Sequence, residues 1–180
     1  MCTKCTLLHN MGTRKEFIPA AYFHCCTPLY ESLARPFVSH IWRAIAREAA
    51  RRSPQGGTVA DLGCGPGTVL RKLRMLRHDL RLTGTDIDPA IIRLAQKKAT
   101  GVSIGFGVSP IDQQPFPDRS IDSAISSLMF HHLALETKQG ALREVKRILK
   151  PGGAFFLCDF SVPQRKYGWL SVEFWKYLEP

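Results

Sequence analysis

The stretch that decides the fold is Val59-Ala-Asp-Leu-Gly-Cys-Gly-Pro-Gly67, where an apolar run meets glycines spaced G-x-G-x-G. Missing side chains let the backbone turn sharply and lie directly against a ligand. Asp61, at the end of the predicted strand, can pair with a cationic group held over that turn. A dinucleotide site would instead need G-x-G-x-x-G, with a pyrophosphate at the helix N-terminus. The motif therefore indicates a ligand with an amino group; the alternative is a merely tight turn.

A second acidic strand end lies in Gly84-Thr-Asp-Ile-Asp88. Asp86 is predicted to end the next strand, where two carboxylate oxygens match the vicinal hydroxyls of a ribose. Ile87 would then lie against an adenine face. The alternative for Asp86 is a helix cap, but Asp88 suits that position better because Pro89 follows it.

The rest of the chain alternates between short apolar runs and amphipathic segments. The pattern predicts strands at 58–62, 81–86, 102–106, 121–126 and 154–159, and helices at 68–76, 89–99 and 136–149. This alternation is typical of an α/β fold with a doubly wound, Rossmann-like parallel sheet. Such sheets bind ligands beyond the carboxyl ends of their strands, which is where the candidate site residues fall.

The segment before the glycines is predicted to be helical over residues 17–50, with interruptions at Pro28 and Pro36. Apolar residues recur there at helical spacing: Val38, Ile41, Trp42, Ile45 and Ala49. The sequence thus divides into an N-terminal tail and helical lid segment, 1–52, and a Rossmann-like domain, 53–180. Tyr22 and Tyr30 would either cover the ligand or serve as amphipathic packing residues.

Composition places the chain among ordinary globular domains. Its 180 residues indicate one domain, and 44% hydrophobic content is enough for a packed core. The net charge of +10 favours acidic partners such as nucleic acid, although scattered solubilising charge is the alternative. With no membrane-length apolar run and no secretory leader, a cytoplasmic location and reduced cysteines are expected.

The N-terminal cysteines are candidate metal ligands. Cys2 and Cys5 have C-x-x-C spacing, and Cys25-Cys26 with His24 could complete a zinc site. Adjacent cysteines make an awkward second pair, so no metal is expected. Cys64 is interpreted as a core or site-lining thiol.

Several runs carry a family resemblance: D-L-G-C-G-P-G, G-T-D-I-D-P, P-F-P-D-x-S-I-D, H-H-L and L-R-E-V-K-R-I-L-K-P-G-G. Over residues 17–159 the chain resembles class I S-adenosylmethionine-dependent methyltransferases, most of all the small-molecule, quinone-biosynthesis C-methyltransferase group. These motifs are specific for the superfamily and not for a substrate.

The resemblance implies a set of cofactor-binding residues. The methionyl end would lie at Asp61 and the glycine turn, the ribose at Asp86 and the adenine at Ile87; the full set adds Gly63, Cys64, Gly65, Gly67, Asp112, Ser126 and Ser127. One departure is the missing Gly-Asp pair after the third strand, whose Asp would reach the adenine amino group. Either Asp112 replaces it from a shifted loop, or that hydrogen bond is lost.

Two adjacent histidines, His131 and His132, follow the fourth strand. A general base for the methyl acceptor is one interpretation, because imidazole titrates near neutral pH. The favoured alternative is that they orient a loop or cap the next segment.

The function predicted is direct displacement of the methyl group of S-adenosylmethionine by a small-molecule acceptor, with S-adenosylhomocysteine as product. An RNA or protein methyltransferase is an alternative that the charge supports and the run Ser126-Ser-Leu-Met-Phe-His-His132 disfavours, because it is not N-P-P-Y-like. A non-catalytic cofactor- or partner-binding module is a third possibility.

The C-terminal part is expected to be truncated relative to the family. After the strand at 154–159, a last helix is predicted over Tyr167–Leu178, and the usual antiparallel strand pair is missing. The strand at 154–159 would then be an exposed edge through which two copies of the chain could form a homodimer.

Overall fold

The computed structural model describes residues 27–160 and 172–175, with side chains over 38–159. In chain order the elements are α1 Thr27–Arg52, β1 Thr58–Leu62, α2 Thr68–Leu76, β2 Arg81–Asp86, α3 Pro89–Lys98, β3 Gly105–Val108, β4 Ile121–Ser127, a 3-10 turn Phe130–His132, α4 Leu135–Ile148, β5 Leu149–Phe160 and β6 Val172–Trp175.

The strands form one sheet in the order β3-β2-β1-β4-β5-β6. All neighbouring pairs from β3 to β5 are parallel, and β6 joins antiparallel to β5. The chain proceeds from β1 towards β3 in one direction and from β4 towards β5 in the other. The switch in strand order therefore lies between β1 and β4, where a ligand crevice is expected.

Alternate residues of the strands supply two separate cores. Val59 faces the side covered by α1 and α2, packing with Ile45 and Leu70. Ala60, the next residue, faces the other side and packs with Val145 of α4. Helices thus cover both faces of the sheet, and the prediction of a doubly wound Rossmann-like fold is confirmed.

The first helix corrects one prediction. α1 runs without a break from Thr27 to Arg52, so the interruption expected at Pro36 is wrong. Proline removes one backbone hydrogen bond from a helix interior. Downstream of it, Ile41 and Ile45 are fully buried in the core beneath the sheet, and such tertiary packing outweighs local propensity. Pro28 lies at the helix start, where a missing N–H is tolerated.

The C-terminal part of the structure corrects two more predictions. Val172–Trp175 forms the strand β6, so a helix over Tyr167–Leu178 is wrong. β6 pairs with Leu157–Phe160, so the last part of the predicted strand 154–159 is not the exposed edge that was expected. The physical reason is that a bare edge presents unpaired N–H and C=O groups, which a neighbouring segment rich in aromatic residues can satisfy. The homodimer stays a prediction.

Two strands also begin at residues other than those predicted. β3 begins at Gly105, three residues later than expected, because Val102 lies in a turn and is exposed. β5 begins at Leu149 and includes the Lys150-Pro-Gly-Gly153 run, where its register with β4 shifts between Ile121 and Ser123.

Some predictions fall on residues outside the described part. They concern the zinc hypothesis for Cys2, Cys5, Cys25 and Cys26 and the covering role of Tyr22. Within the described residues, no helix combines the length and apolar character needed to cross a bilayer. The lid segment and the cytoplasmic location stay predictions.

The buried face of α1 gives a test of the fold. Replacing Ile45, which is 1% exposed, by alanine leaves a cavity between α1 and the sheet. We expect Ile45→Ala to lower the free energy of unfolding by about 2–5 kcal/mol in urea denaturation. Met75→Ala is the control, since Met75 is 79% exposed. Equal, small effects of both substitutions would contradict the packing described.

Candidate functional site

The glycine turn after β1 is held by the end of β2. The backbone N–H groups of Gly63 and Cys64 both donate to the carbonyl oxygen of Thr85, at 2.8 and 2.9 Å. Gly65 N–H donates to Oδ2 of Asp86 at 3.0 Å. The two motifs singled out in the sequence are thus joined by hydrogen bonds at the carboxyl edge of the sheet.

Asp61 is a buried carboxylate for which the described residues supply no hydrogen bond. Its side chain is 1% exposed, and neither oxygen is bonded to any described residue. Burial, and secondarily the nearby charge of Asp86, raise the pKa of Asp61 to about 8. Leaving a buried polar group unsatisfied costs roughly 1–3 kcal/mol, more if it is charged. An unsatisfied buried carboxylate of this kind has the charge to pair with a cationic ligand.

The glycine turn has open space beside one glycine, Gly65, and a tightly packed neighbour beside another, Gly67. A Cβ at Gly65 would meet nothing within 4 Å. A Cβ at Gly67, where φ is 74°, would lie 2.8 Å from the ring of Phe106. Gly65 therefore offers bare main chain facing open space, while Gly67 lets the start of α2 approach β3.

Asp86 combines two backbone contacts with capacity for more. Oδ2 accepts from Gly65, and Oδ1 accepts from Asp88 N–H at 3.1 Å. An ionised carboxylate has about four acceptor positions, so two hydroxyls can still be bound. Burial raises the pKa of Asp86, and these backbone N–H groups oppose the rise.

The structure confirms the predicted helix cap at Asp88, two residues after Asp86. Asp88 Oδ1 accepts from Ala90 N–H at 2.7 Å, and Pro89 begins α3. Asp86 is therefore not needed as the cap, which leaves the ribose interpretation in place.

Two apolar side chains are exposed where β2 and β3 end. Ile87 is 42% and Val108 is 55% exposed. Val108 pairs with Asp86 in the sheet register, so both side chains belong to the same edge as the acidic pair. A flat aromatic ring bound there would remove this apolar surface from water.

Three other predicted residues lie at the same edge, and two of them, Cys64 and Ser126, face protein. Cys64 is a free, buried thiol that packs over Gly84, and burial raises its pKa well above the usual value. Ser126 is buried and donates from Oγ to the carbonyl oxygen of Leu62 at 2.8 Å. Ser127 is partly buried at the end of β4. The side chains of Cys64 and Ser126 thus support the glycine turn from the protein interior.

Asp112 lies on the α4 side of the loop after β3. Its Cβ would be 2.9 Å from a Cβ placed on Gly140 of α4. That loop is tied to β2 because Ser109 N–H donates to the carbonyl oxygen of Asp86 at 2.9 Å. A contact of Asp112 with an adenine stays a prediction.

The structure also shows residues that the sequence did not single out. Gln114 is buried, and its Oε1 accepts from Thr85 Oγ1 at 2.9 Å, which supports the strand end that holds the glycine turn. Met129 covers Gly63, since a Cβ there would lie 2.7 Å from Met129 Cγ. No local motif marks either residue; both are separated in sequence from what they contact.

The two histidines lie in the 3-10 turn after β4. His131 Nδ1 is 2.5 Å from Oδ1 of Asp159 at the end of β5, and His131 N–H donates to Oδ2 of the same carboxylate at 2.9 Å. The His132 ring lies against the His131 ring with centroids 3.8 Å apart. Burial, and then the charge of His131, lower the pKa of His132.

Comparison with known proteins identifies the family. Residues 60–157 match the methyltransferase domain family. The chain belongs to this family. One curated relative is the ubiquinone/menaquinone biosynthesis C-methyltransferase UbiE of Geobacter sulfurreducens. It is 30% identical over 152 residues, which cover 80% of this chain and 58% of the relative. The predicted class I S-adenosylmethionine-dependent methyltransferase family is confirmed.

Two further likenesses agree with this methyltransferase assignment. The demethylmenaquinone methyltransferase of Deinococcus radiodurans is 32% identical over 147 residues, or 78% of this chain and 59% of that protein. A chain in the complex between the Haloferax volcanii Trm112 methyltransferase activator and the putative methyltransferase has TM-score 0.62 and 31% identity, over 82% of this chain and 61% of that one. This chain therefore spans about three fifths of the length of the curated relatives it matches.

The buried carboxylate of Asp61 gives a test that needs no ligand. A carboxyl whose pKa is raised on folding binds its proton more tightly in the native than in the unfolded state. Between about pH 4 and pH 8 Asp61 therefore lowers the free energy of unfolding as pH rises. We expect Asp61→Asn to stabilise the protein by about 1–3 kcal/mol at pH 8 and by much less at pH 4.

Urea denaturation across that pH range measures the difference between variant and wild type. Asp122→Asn is the matched control, because its contacts with Lys150 and Thr58 lower the pKa of Asp122 and its loss should destabilise. A constant difference between Asp61→Asn and wild type at all pH values would contradict the assignment.

Proposed function

We propose that this chain binds S-adenosylmethionine and transfers its methyl group by direct displacement to a small-molecule acceptor. The observation that carries the proposal is the unpartnered, buried carboxylate of Asp61 beside a glycine turn that the second carboxylate, Asp86, holds in place. A methionyl ammonium group satisfies Asp61, and the same cofactor has a ribose diol for Asp86. The family match supports this choice of ligand.

Different parts of the cofactor contact residues at the ends of β1 and β2. Asp61 receives the ammonium group, and Gly65 lets the methionyl part lie on bare main chain. Asp86 accepts from the ribose hydroxyls, while Ile87 and Val108 cover the adenine. Because Asp61 is closed to solvent, its ligand must displace a neighbouring side chain. Met129, which covers Gly63 and has a flexible unbranched chain, is the one suited to move.

The remaining predicted residues serve this arrangement less directly. Cys64 and Ser126 support the turn, Ser127 lies near the methionyl end, and Gly63 and Gly67 allow close packing. When bound, S-adenosylmethionine supplies an activated methyl group on a sulfonium. The protein then mainly aligns the acceptor with that methyl, and such positioning can contribute about 7–11 kcal/mol.

The acceptor we propose is the ring of a reduced quinone. Two relatives are named for ubiquinone/menaquinone biosynthesis and for demethylmenaquinone methylation, at 30% and 32% identity. Two alternatives predict different experimental results. If the acceptor is RNA, the chain binds RNA with strong salt dependence. If the chain is a non-catalytic binding module, it binds the cofactor without turnover.

Cofactor binding tests the role of Asp86. In isothermal titration we expect the wild type to bind S-adenosylmethionine and S-adenosylhomocysteine but not NADH. Asp86→Asn should weaken both about tenfold or more, since a hydrogen bond to a charged group contributes about 1.5–3 kcal/mol. Asp88→Asn is the matched control in the same turn, because asparagine also caps a helix. Tight NADH binding with neither sulfur nucleoside bound would overturn the proposal.

A pair of glycine substitutions tests the contact with bare main chain. Gly65 and Gly56 both have positive φ, 52° and 65°, and open space where a Cβ would be. Alanine at either should cost about 1–2 kcal/mol of stability. Only Gly65→Ala should weaken S-adenosylmethionine binding, by about tenfold or more, since its methyl group meets the ligand. Equal affinities for the two variants would place the cofactor elsewhere.

A further inference from the structure

A carboxylate–histidine pair lies one strand beyond the proposed cofactor. Asp159 ends β5, and both of its oxygens contact His131: Oδ1 approaches ring Nδ1 at 2.5 Å, and Oδ2 accepts from the backbone N–H at 2.9 Å. The Asp159 side chain is 11% exposed and that of His131 30%. The carboxylate is thus buried behind an imidazole that solvent can still reach.

The order of the strands places this pair on the acceptor side. The proposed ribose contact is at β2 and the ammonium contact at β1, so the cofactor extends along the edge towards β4. The next strands are β4 and then β5, and their carboxyl ends align at Ser127 and Cys158. The acceptor must approach the methyl group from the side of the cofactor away from the ribose. It therefore lies over the ends of β4 and β5, beside His131.

We propose that His131 takes a proton from the acceptor through Nε2, and that Asp159 is the positioning residue that sets this role. The inference rests on the proposed function. Asp159 holds the ring in the tautomer that carries its proton on Nδ1, which makes Nε2 the basic nitrogen. It also balances the charge of the imidazolium that forms.

The proton balance is complete without another reactant. The acceptor's O–H or C–H bond breaks, its proton goes to Nε2 of His131, and its electron pair stays on the acceptor to form the bond to the methyl carbon. The carbon–sulfur bond breaks with its electrons on sulfur, giving a neutral thioether. The proton of the imidazolium then passes to water.

His132 has a different role from His131. Its pKa is lowered, first by burial, which keeps the ring neutral while it packs against His131. Its backbone N–H donates to the carbonyl oxygen of Met129 at 3.1 Å and closes the 3-10 turn. His132 therefore supports the orientation of the neighbouring ring, and His131 handles the proton.

The test separates positioning from simple support of the turn. In Asp159→Asn the amide oxygen can still accept from the backbone N–H of His131, so the turn stays capped. The amide NH₂ then faces Nδ1 and forces the proton to Nε2. We expect ring ¹⁵N NMR of histidine-labelled protein, assigned with His131→Gln, to show the Nδ1–H tautomer in the wild type and the Nε2–H tautomer in Asp159→Asn.

Kinetics with a short-chain demethylmenaquinol give the second measurement. We expect Asp159→Asn to lower kcat about a hundredfold or more, with the calorimetric affinity for S-adenosylmethionine unchanged. Asp79→Asn is the matched control: that carboxylate also accepts one backbone N–H, from Gly56, and one side chain, Arg77, but at the opposite edge of the sheet. It should keep the wild-type kcat and histidine tautomers.

Two results overturn the inference while leaving the proposed function intact. One is an Nε2–H tautomer at His131 in the wild type; the other is an unchanged kcat in Asp159→Asn. Failure of the wild type to bind S-adenosylmethionine is a separate outcome, which overturns the proposed function and with it the catalytic part of this inference.

Discussion

The site depends on one set of hydrogen bonds, those between the glycine turn and the end of β2. Thr85 gives its carbonyl oxygen to two successive N–H groups of the turn, and Asp86 gives a carboxylate oxygen to a third. Side chains cannot fix a turn made of glycines, so a neighbouring strand must do it. Buried Gln114 holds Thr85 in turn, and Ser126 restrains the turn from the β4 side.

This arrangement places one carboxylate, that of Asp61, where the protein alone gains nothing from it. No described residue hydrogen-bonds to Asp61, and its burial, together with the nearby charge of Asp86, makes its ionisation more difficult. A fold selected only for stability would replace Asp61 by an apolar residue or an amide. The unfavourable electrostatics are localised at one edge of the sheet, as expected where function opposes stability.

Much of this could be predicted from the sequence, because the informative residues are local. Asp61, the glycines and Asp86 mark strand ends within runs whose periodicity is clear, and the cap at Asp88 follows from its neighbours. The misses are nonlocal. β6 forms because β5 offers an edge, and α1 passes Pro36 because distant residues bury its later turns.

The same limit applies to the site. Asp159 is 28 residues from His131, so their contact depends on two strands lying side by side. Met129 over Gly63 and Gln114 beneath Thr85 likewise become visible only in three dimensions. The sequence left Cys64 as either a core or a site-lining thiol, and only the structure shows that its side chain packs over Gly84 on the interior side.

The paired carboxylates also bear on turnover. S-adenosylmethionine carries a positive sulfur that its product lacks, while the ammonium and ribose are common to both. An acidic pocket therefore attracts the methylated form more than the spent one; a unit charge several ångströms away contributes roughly 1 kcal/mol or more, depending on how dry the surroundings are. In the proposed function, Asp61 and Asp86 thus favour S-adenosylmethionine over S-adenosylhomocysteine, which limits inhibition by the accumulated product.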